Sequence, residues 1–384
     1  MRILFVCMQY IHSARWINQL KDTHHEIYVF DCLDREIHPD LQWTNYLTNW
    51  SKRKLPYIKG EDRVRKKLPN TYKKIEGFLK VTASEKLVEV IHEIQPDLVH
   101  SLEMQSESYP LINVRKKLKF KWLYSCWGND IFYYKDLPSH QKKVKECVEK
   151  IDYFFVECER DKNLIQEMKI NATFLGTDFP GGGGYDFSNY LDFRKPNAKR
   201  NLIIIKGYEH TFGRALSVLK AIEEVVDEVQ GYDIYVYSAH QSVIDKIEKL
   251  NAQFNLNIEY SSRFNQISHE ELLEKFGSAK VAIGNNISDG IPNTLLETLI
   301  LGAFPIQSNP GGVTEEYITH GENGFLITQP EDSFEISELI KAALSDNNLV
   351  ENASRINRIK IENLDGEKVR RRVLAAYQKI EEAL

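Results

Sequence analysis

The sequence predicts an α/β protein of two domains, each assembled from parallel α/β units. Two observations carry that expectation. Short β-branched or aromatic runs alternate with longer stretches of helical period, and the whole rhythm restarts after a glycine-rich interruption at residues 181–184. Length agrees, because 384 residues exceed what one hydrophobic core usually supports.

In the first half the expected strands are Arg2–Cys7, Glu26–Asp31, Asp97–His100, Lys121–Ser125 and Tyr153–Cys158. Between them Ala14–Lys21, Ser84–Ile94, Leu111–Leu118, Gln141–Lys150 and Asp161–Met168 repeat apolar residues every three to four positions and read as helices. Four consecutive glycines after Pro180 cannot hold a helix or strand cheaply, so residues 181–200 are expected to be a hinge or linker between a first domain, 1–180, and a second, 201–364. In the second half Leu202–Ile205, Asp233–Ser238, Asn257–Tyr260, Lys280–Gly284, Phe304–Gln307 and Gly324–Ile327 read as strands. Ala215–Val229, His269–Phe276, Thr294–Leu301 and Phe334–Leu344 read as helices. Leu202–Ile205 is apolar throughout, as a strand covered on both faces must be. Two such domains imply a cleft, with ligands at strand C-terminal ends. Residues 365–384 form one long amphipathic helix that packs either on the second domain or back on the first.

Composition excludes several classes. Hydrophobic residues at 42% and charged residues at 27% are the balance of a globular chain and not of a disordered one. A net charge of -5 argues against a nucleic-acid binder. No stretch approaches the roughly 18–20 apolar residues that span a bilayer, and Met1–Cys7 is too short for a signal sequence. The chain is therefore read as cytoplasmic, or as lying on a membrane without crossing it. Cys7, Cys32, Cys126, Cys147 and Cys158 are odd in number and form no Cys-x-x-Cys pair, so reduced, buried thiols are expected.

One segment departs from the alternation. Ser51–Lys80 holds eleven Lys or Arg against three acids, interleaved with Leu55, Tyr57, Ile58, Leu68, Tyr72 and Phe78. It is either a solvated insertion or a basic amphipathic surface for anionic lipid or a phosphate-bearing acceptor.

The chemistry concentrates in Ser288-Asp289-Gly290-Ile291-Pro292-Asn293-Thr294-Leu295-Leu296-Glu297. Gly290 and Pro292 break regular structure after the strand at 280–284, and Asn293 is expected to N-cap a helix beginning at Thr294. The first N–H groups of that helix and its dipole would seat a diphosphate. Seven residues separate Asp289 from Glu297, placing one acid on the loop and one inside the helix. Such a pair can hold hydroxyls at the two ends of a donor. The same residues also fit a capped helix with an exposed Glu. Downstream, Gly311-Gly312-Val313 lets the backbone approach a ligand closely and offers further N–H groups.

Together these residues resemble the nucleotide-sugar-binding half of the family 4 glycosyltransferases, retaining enzymes of the GT-B fold with two Rossmann-like domains facing a cleft. The elements of the pattern are Asp289, Glu297, Gly302-Ala303-Phe304-Pro305, Gly311-Gly312-Val313-Thr314-Glu315 and Gly321-Glu322-Asn323-Gly324. The resemblance spans about 268–328. It departs in having Asp289 where the family usually has Glu, and one extra residue before Pro305. It implies transfer of a sugar from a nucleoside diphosphate donor to a glycan, lipid-linked or other acceptor. Retention of anomeric configuration and no metal are implied with it.

A diphosphate needs cations, and Lys206, ending the first strand of the second domain, and Arg214, opening the next helix, stand where the resembled family carries phosphate-binding residues. Here their order is reversed and their spacing is eight. In the first domain, His12 and Ser13 replace a glycine-rich loop. Trp127-Gly128-Asn129-Asp130 looks like the family's His-Gly-x-Asp. Asp130 thereby becomes a candidate beside the reacting sugar, or else a helix cap. His12 is a second candidate. His100, ending a strand, faces the cleft by position or is structural. The resemblance thus implies catalytic Asp289, Asp130 and His12. Its donor site comprises Lys206, Arg214, Gly290, Ile291, Pro292, Asn293, Thr294, Glu297, Gly311, Gly312 and Val313. A nucleotide-sugar epimerase or hydrolase of the same fold, and a non-catalytic nucleotide-sugar scaffold, are the alternatives.

Overall fold

The computed structural model describes residues 1–168, 171–177, 179–180 and 183–384, with the main chain alone at 70, 73 and 74. Gly181 and Gly182, in the middle of the expected hinge, lie outside the described residues. The chain forms two compact units. The first comprises residues 1–157, 161–183 and 370–384, and the second 158–160 and 184–369.

The first unit is a seven-stranded parallel sheet of β1 (Arg2–Cys7), β2 (Glu26–Asp31), β3 (Asn45–Leu47), β4 (Leu98–Ser101), β5 (Lys121–Cys126), β6 (Tyr153–Val156) and β7 (Thr173–Gly176), in the order β3-β2-β1-β4-β5-β6-β7. Its core packs Leu4, Val6, Val99, Trp122, Tyr124 and Phe154 with helix residues such as Leu87 and Leu111. All five cysteines are buried, and none forms a disulfide among the described residues. The edge strands β3 and β7 have no counterpart in the sequence reading: each is short and only half-buried, so neither carries an apolar run.

Part of this unit is supplied from the far end of the chain. The helix Gly366–Glu382 contributes Arg370 onward to the first unit, where Val373, Tyr377 and Ile380 are wholly buried. The Tyr377 hydroxyl lies 2.6 Å from His100 Nδ1, and Trp16 Nε1 donates to it at 3.4 Å. Arg370 donates to the carbonyls of Gln19 and Lys21 at 3.1 and 2.8 Å.

The second unit is a six-stranded parallel sheet of β8 (Leu202–Lys206), β9 (Asp233–Ala239), β10 (Ile258–Ser262), β11 (Ala279–Gly284), β12 (Phe304–Ser308) and β13 (Phe325–Ile327), in the order β10-β9-β8-β11-β12-β13. Ile203, Ile205, Val236, Val281 and Ile306 fill one face and Ile204, Tyr237, Ala282 and Leu326 the other, the two-sided burial read from Leu202–Ile205. The expected helix Ala215–Val229 is broken at Val225, whose φ of -123° leaves Ala215–Glu224 and Val226–Val229 as separate pieces. Residues 184–200 belong to this unit and hold the short helix Phe187–Leu191.

In each sheet the strand order reverses beside the first strand of the unit, between β1 and β4 and between β8 and β11. Loops leaving the C-terminal ends of such neighbours diverge and create the crevice in which open α/β sheets bind ligands. Among the described residues no helix is long and apolar enough to cross a membrane.

Candidate functional site

In the second unit the reversal brings together the loop 207–214 after β8 and the loop 285–292 after β11. Backbone bonds join them: Arg214 N–H donates to the Asn285 carbonyl at 2.9 Å and Ile287 N–H to that of Phe212 at 2.8 Å. Lys206, on the last residue of β8 and only 11% exposed, places Nζ 3.7 Å from Asp289 Oδ2. Asn286 Nδ2 donates to the same oxygen at 2.8 Å, and Gly290 N–H to Oδ1 at 3.0 Å. Asp289 is thus held rigidly at the loop tip, beside a cation. Asn285 Oδ1 and Ser288 Oγ in this loop are buried with no partner among the described residues, and such orphaned polar atoms call for a missing partner.

The following helix runs Asn293–Leu301, one residue earlier than expected, with Pro292 at the N-cap and no side-chain cap bond. Asn293 does not cap it; its Oδ1 accepts the Tyr185 hydroxyl at 2.8 Å. Proline lacks a side-chain oxygen, so capping by Asn293 is corrected and the helix start keeps its dipole uncancelled by a cap. Glu297, 4% exposed, lies one turn inside. Its Oε1 accepts His269 Nε2 at 2.8 Å. His269 is fixed at the first position of the helix His269–Ser278 by the Ser268–Glu271 capping box.

Gly311 and Gly312 take consecutive left-handed conformations, φ 64° and 82°, in a tight turn after β12. This is the conformation that glycine alone adopts cheaply. Ile291 and Val313 are buried in the apolar core, so only their main chain is available to a ligand. Thr294 occupies the first turn of the Glu297 helix.

Arg214 is placed differently from the expectation. Its guanidinium turns back on its own loop, donating to the carbonyls of His210 and Gly213 at 3.2 and 2.8 Å and pairing with Glu331 at 2.8 Å. The start of the helix Ala215–Glu224 is occupied as well, by Glu209 Oε2 accepting from Leu216 N–H at 2.8 Å. A second cation beside Lys206 is Arg263, just after β10. It hydrogen-bonds the Tyr208 hydroxyl and lies 4.6 Å over the Tyr208 ring, whose face also meets Lys206 at 4.9 Å. Burial, then the neighbouring His240, Lys206 and Arg263, hold the His210 imidazole below its ordinary pKa. Tyr208, His210, Arg263 and His269 were not singled out from the sequence. Only Tyr208, two residues after Lys206, carried a local signal.

In the first unit the reversal joins the loop after β1 to that after β4. The Tyr10 hydroxyl donates to Glu103 Oε1, and the Tyr10 and His12 rings meet edge-on at 5.8 Å. Burial pushes the Glu103 carboxyl up to about 7 and, with Arg15, the His12 imidazole down to about 4. Glu107 sits in a single turn of π-helix, Met104–Ser108, and is raised by burial and by the Glu103 charge. Such turns frequently mark functional sites. Asp130 is 3% exposed and accepts the Tyr124 hydroxyl at 2.9 Å and the Trp127 N–H at 3.2 Å. Burial, then Glu103, raises its carboxyl above the ordinary range, and its hydrogen bonds tie its loop to β5. His100 is wholly buried, bonded on both ring nitrogens, to Tyr377 and Ser125, and held neutral by burial: the structural alternative.

Other surface depressions lie away from these loops. One of about 610 Å³ is lined by Leu202, Asp233 and Asn257, at or near the N-terminal ends of β8, β9 and β10. These ends lack the diverging loops, and the site is assigned by sheet topology and charge. Among the described residues His24, His25 and Glu381 bring three metal-capable atoms within 4.8 Å, next to the N-terminal end of β2 and away from both loop clusters.

The fold and these loops define a glycosyltransferase of the GT-B class. Residues 2–157 match the family model Glycosyl transferase 4-like and residues 245–360 match Glycosyl transferases group 1, and the chain is a family 4-like member of that class. Asp289, Glu297, Arg263 and His269 fall inside the second match, and Lys206 outside it. No curated protein sequence matches the chain. Among solved structures it is similar to a sucrose-phosphate synthase from Thermosynechococcus elongatus, with a TM-score of 0.73 at 15% identity over 100% of both chains. It is similar to a glycosyltransferase from Rickettsia africae, TM-score 0.69 at 15% identity over 98% of this chain and 97% of that one. HepE of Anabaena, solved in complex with UDP-glucose, gives 0.67 at 12% over 100% and 99%.

Proposed function

We propose that the protein transfers a glycosyl group from a nucleoside diphosphate sugar to an acceptor hydroxyl, with retention of anomeric configuration. The observation that carries this reading is the convergence of Lys206, Asp289 and the uncapped start of the Glu297 helix on one strand-order reversal. Glu297 takes the ribose hydroxyls, Asp289 a hydroxyl of the transferred sugar, and Lys206 with Arg263 and the helix N–H groups the diphosphate. Charge grows on the leaving diphosphate as its bond to the anomeric carbon breaks. Preorganised cations and N–H groups at that point supply the largest share of such catalysis. Side-chain cations do here what a metal would do elsewhere, and chelation is expected to leave turnover unchanged. Retention rests on the resemblance to family 4. HepE, a structural relative, binds UDP and UDP-glucose, which makes these the first ligands to try.

In the first unit we assign the acceptor hydroxyl to Glu103, with Tyr10 and His12 beside it. A carboxylate near neutrality can take a proton, whereas His12 is neutral and Asp130 is buried. The acceptor is a glycan or lipid-linked sugar in this reading.

Calorimetry with UDP and UDP-glucose on Glu297→Ala and Asp289→Ala is the test. Glu297→Ala should weaken both ligands, because both contain the ribose. Asp289→Ala should spare UDP and impair turnover. Parent-like binding of both ligands by both variants defeats the assignment, and sugar release without an acceptor would favour a hydrolase.

A further inference from the structure

Between β3 and the helix Ala83–Ile94 the chain makes an excursion that leaves much of its apolar surface exposed. Helices Glu61–Lys67 and Pro69–Leu79 form a hairpin closed at its base by an antiparallel bridge between Arg53 and Lys80 and by Lys54 N–H donating to the Leu79 carbonyl at 2.8 Å. The buried side holds Leu79 and Tyr72 together with a carboxylate. Glu61, 8% exposed, accepts two N–H groups of Arg53 at 2.9 and 2.8 Å and the buried Tyr72 hydroxyl at 2.8 Å. Other apolar side chains face outward: Phe78 is 75% exposed, and Leu55, Tyr57, Ile58, Leu68 and Ile75 are 41–56% exposed. Ile75 and Phe78 stand three apart on one stripe of the helix Pro69–Leu79, and Leu68 is exposed at the turn that precedes it. An ordinary surface hairpin turns its apolar stripe inward, and a clustered exposed patch marks a contact site.

Charge says what the contact is. Lys52, Lys59, Arg63, Lys66 and Lys67 are exposed in the same segment. The whole segment carries eleven basic residues against three acids, in a chain whose net charge is -5. Exposed cations interleaved with exposed aliphatic side chains complement a surface that is anionic outside and hydrocarbon beneath. Nucleic acid needs faces on which bases stack, and four of the six apolar residues here are aliphatic. We propose that this hairpin is a membrane-contact surface for anionic lipid. Leu55, Ile58, Leu68, Ile75 and Phe78 enter the boundary between headgroups and acyl chains, and the lysines remain at the phosphates. This holds whatever reaction the enzyme performs.

The test is co-sedimentation of the full chain with phosphatidylcholine vesicles and with vesicles of mixed phosphatidylglycerol and phosphatidylcholine. Binding to the anionic vesicles alone, weakening as salt rises, is the expected result. Ile75→Ser with Phe78→Ser, and separately Lys66→Ser with Lys67→Ser, should each weaken it by about tenfold or more. All four residues are exposed, so melting temperatures should match the parent and keep folding out of the comparison. Equal binding to both vesicle types, binding to neither, or parent-like binding by either variant overturns the proposal. So does loss of a single-stranded polynucleotide in both variants with no vesicle binding, which would make the surface one for nucleic acid.

Discussion

His269 Nε2 stands 2.8 Å from Glu297 Oε1, so the buried acid of the second unit is engaged on one oxygen by a half-exposed imidazole, and in the proposed donor site the other oxygen takes the ribose. The contact joins residues 28 positions apart, one at the start of its helix and the other one turn inside the next. It predicts a hierarchy. Glu297→Ala should weaken a nucleoside diphosphate roughly tenfold to hundredfold, the loss of a hydrogen bond to a charged group. His269→Ala should cost about threefold, because the carboxylate stays but loses its orientation. The double variant should match Glu297→Ala alone, since residues in direct contact do not add. Calorimetry on the three variants reads this. Additive losses would show that His269 acts on the ligand by itself.

Arg263 and Arg214 should part company. Arg263 shares the Tyr208 ring with Lys206, whereas Arg214 is spent on its own loop and Glu331. Arg263→Ala is expected to weaken a diphosphate about tenfold and leave the free nucleoside unaffected. Arg214→Ala should change affinity less and lower the melting temperature, because the loop carbonyls lose their donor. The reverse ranking in a titration would return the phosphate role to Arg214.

Glu103 makes a pH prediction. Its carboxyl is raised from an ordinary 4.5 to about 7, chiefly by burial, with Tyr10, Glu107 and Asp130 facing it. Over that window the native state holds the proton more tightly than the unfolded chain. The stability associated with it is therefore present at acid pH and lost as pH rises through about 7. Turnover should do the opposite, rising over the same range as the carboxylate forms. Glu103→Gln should lose both dependences while binding donor like the parent. A turnover profile that keeps its limb in that variant assigns the proton elsewhere.

Two glycines should fail in different ways. A Cβ on Gly324 would lie 2.7 Å from Pro305 Cγ and 2.9 Å from Ile318 Cδ1, so Gly324→Ala should destabilise by about 1–3 kcal/mol through overpacking, without touching affinity. At Gly312 the nearest atom is Glu315 Oε2 at 4.0 Å, and only the φ of 82° resists. Gly312→Ala should cost about 1–2 kcal/mol of strain and also weaken the diphosphate. Thermal melts and titrations of both separate scaffold from site.

That division explains what the sequence disclosed. The resemblance rests on a pattern local in sequence, and part of it is architecture: Gly302 ends a helix at φ 78°, and Asn323, wholly buried, bonds Tyr317, Thr319 and Asn357. Strands buried on both faces, such as β8 and β11, were legible as apolar runs. β3 and β7, at the sheet edge, have half-exposed residues and no run to read. Arg263 and Glu103 were illegible because parallel pairing brings together loops separated by dozens of residues, with no periodic trace. The contacts of Arg214 were not legible because a basic residue at a helix start looks the same in sequence whether it faces a ligand or its own carbonyls.

The helix Gly366–Glu382 bears on how the molecule comes into being. Tyr377 and Ile380 fill the core of the first unit, and Tyr377 hydrogen-bonds His100 there. On the ribosome, domains generally fold as they emerge, N-terminal first. Here the sheet translated first lacks these side chains until the second unit has been translated in full. The earliest-made half is therefore the last to be completed. A ribosome stalled before codon 370 would carry a finished second half and a first half with an unsealed core, open to chaperones and proteases.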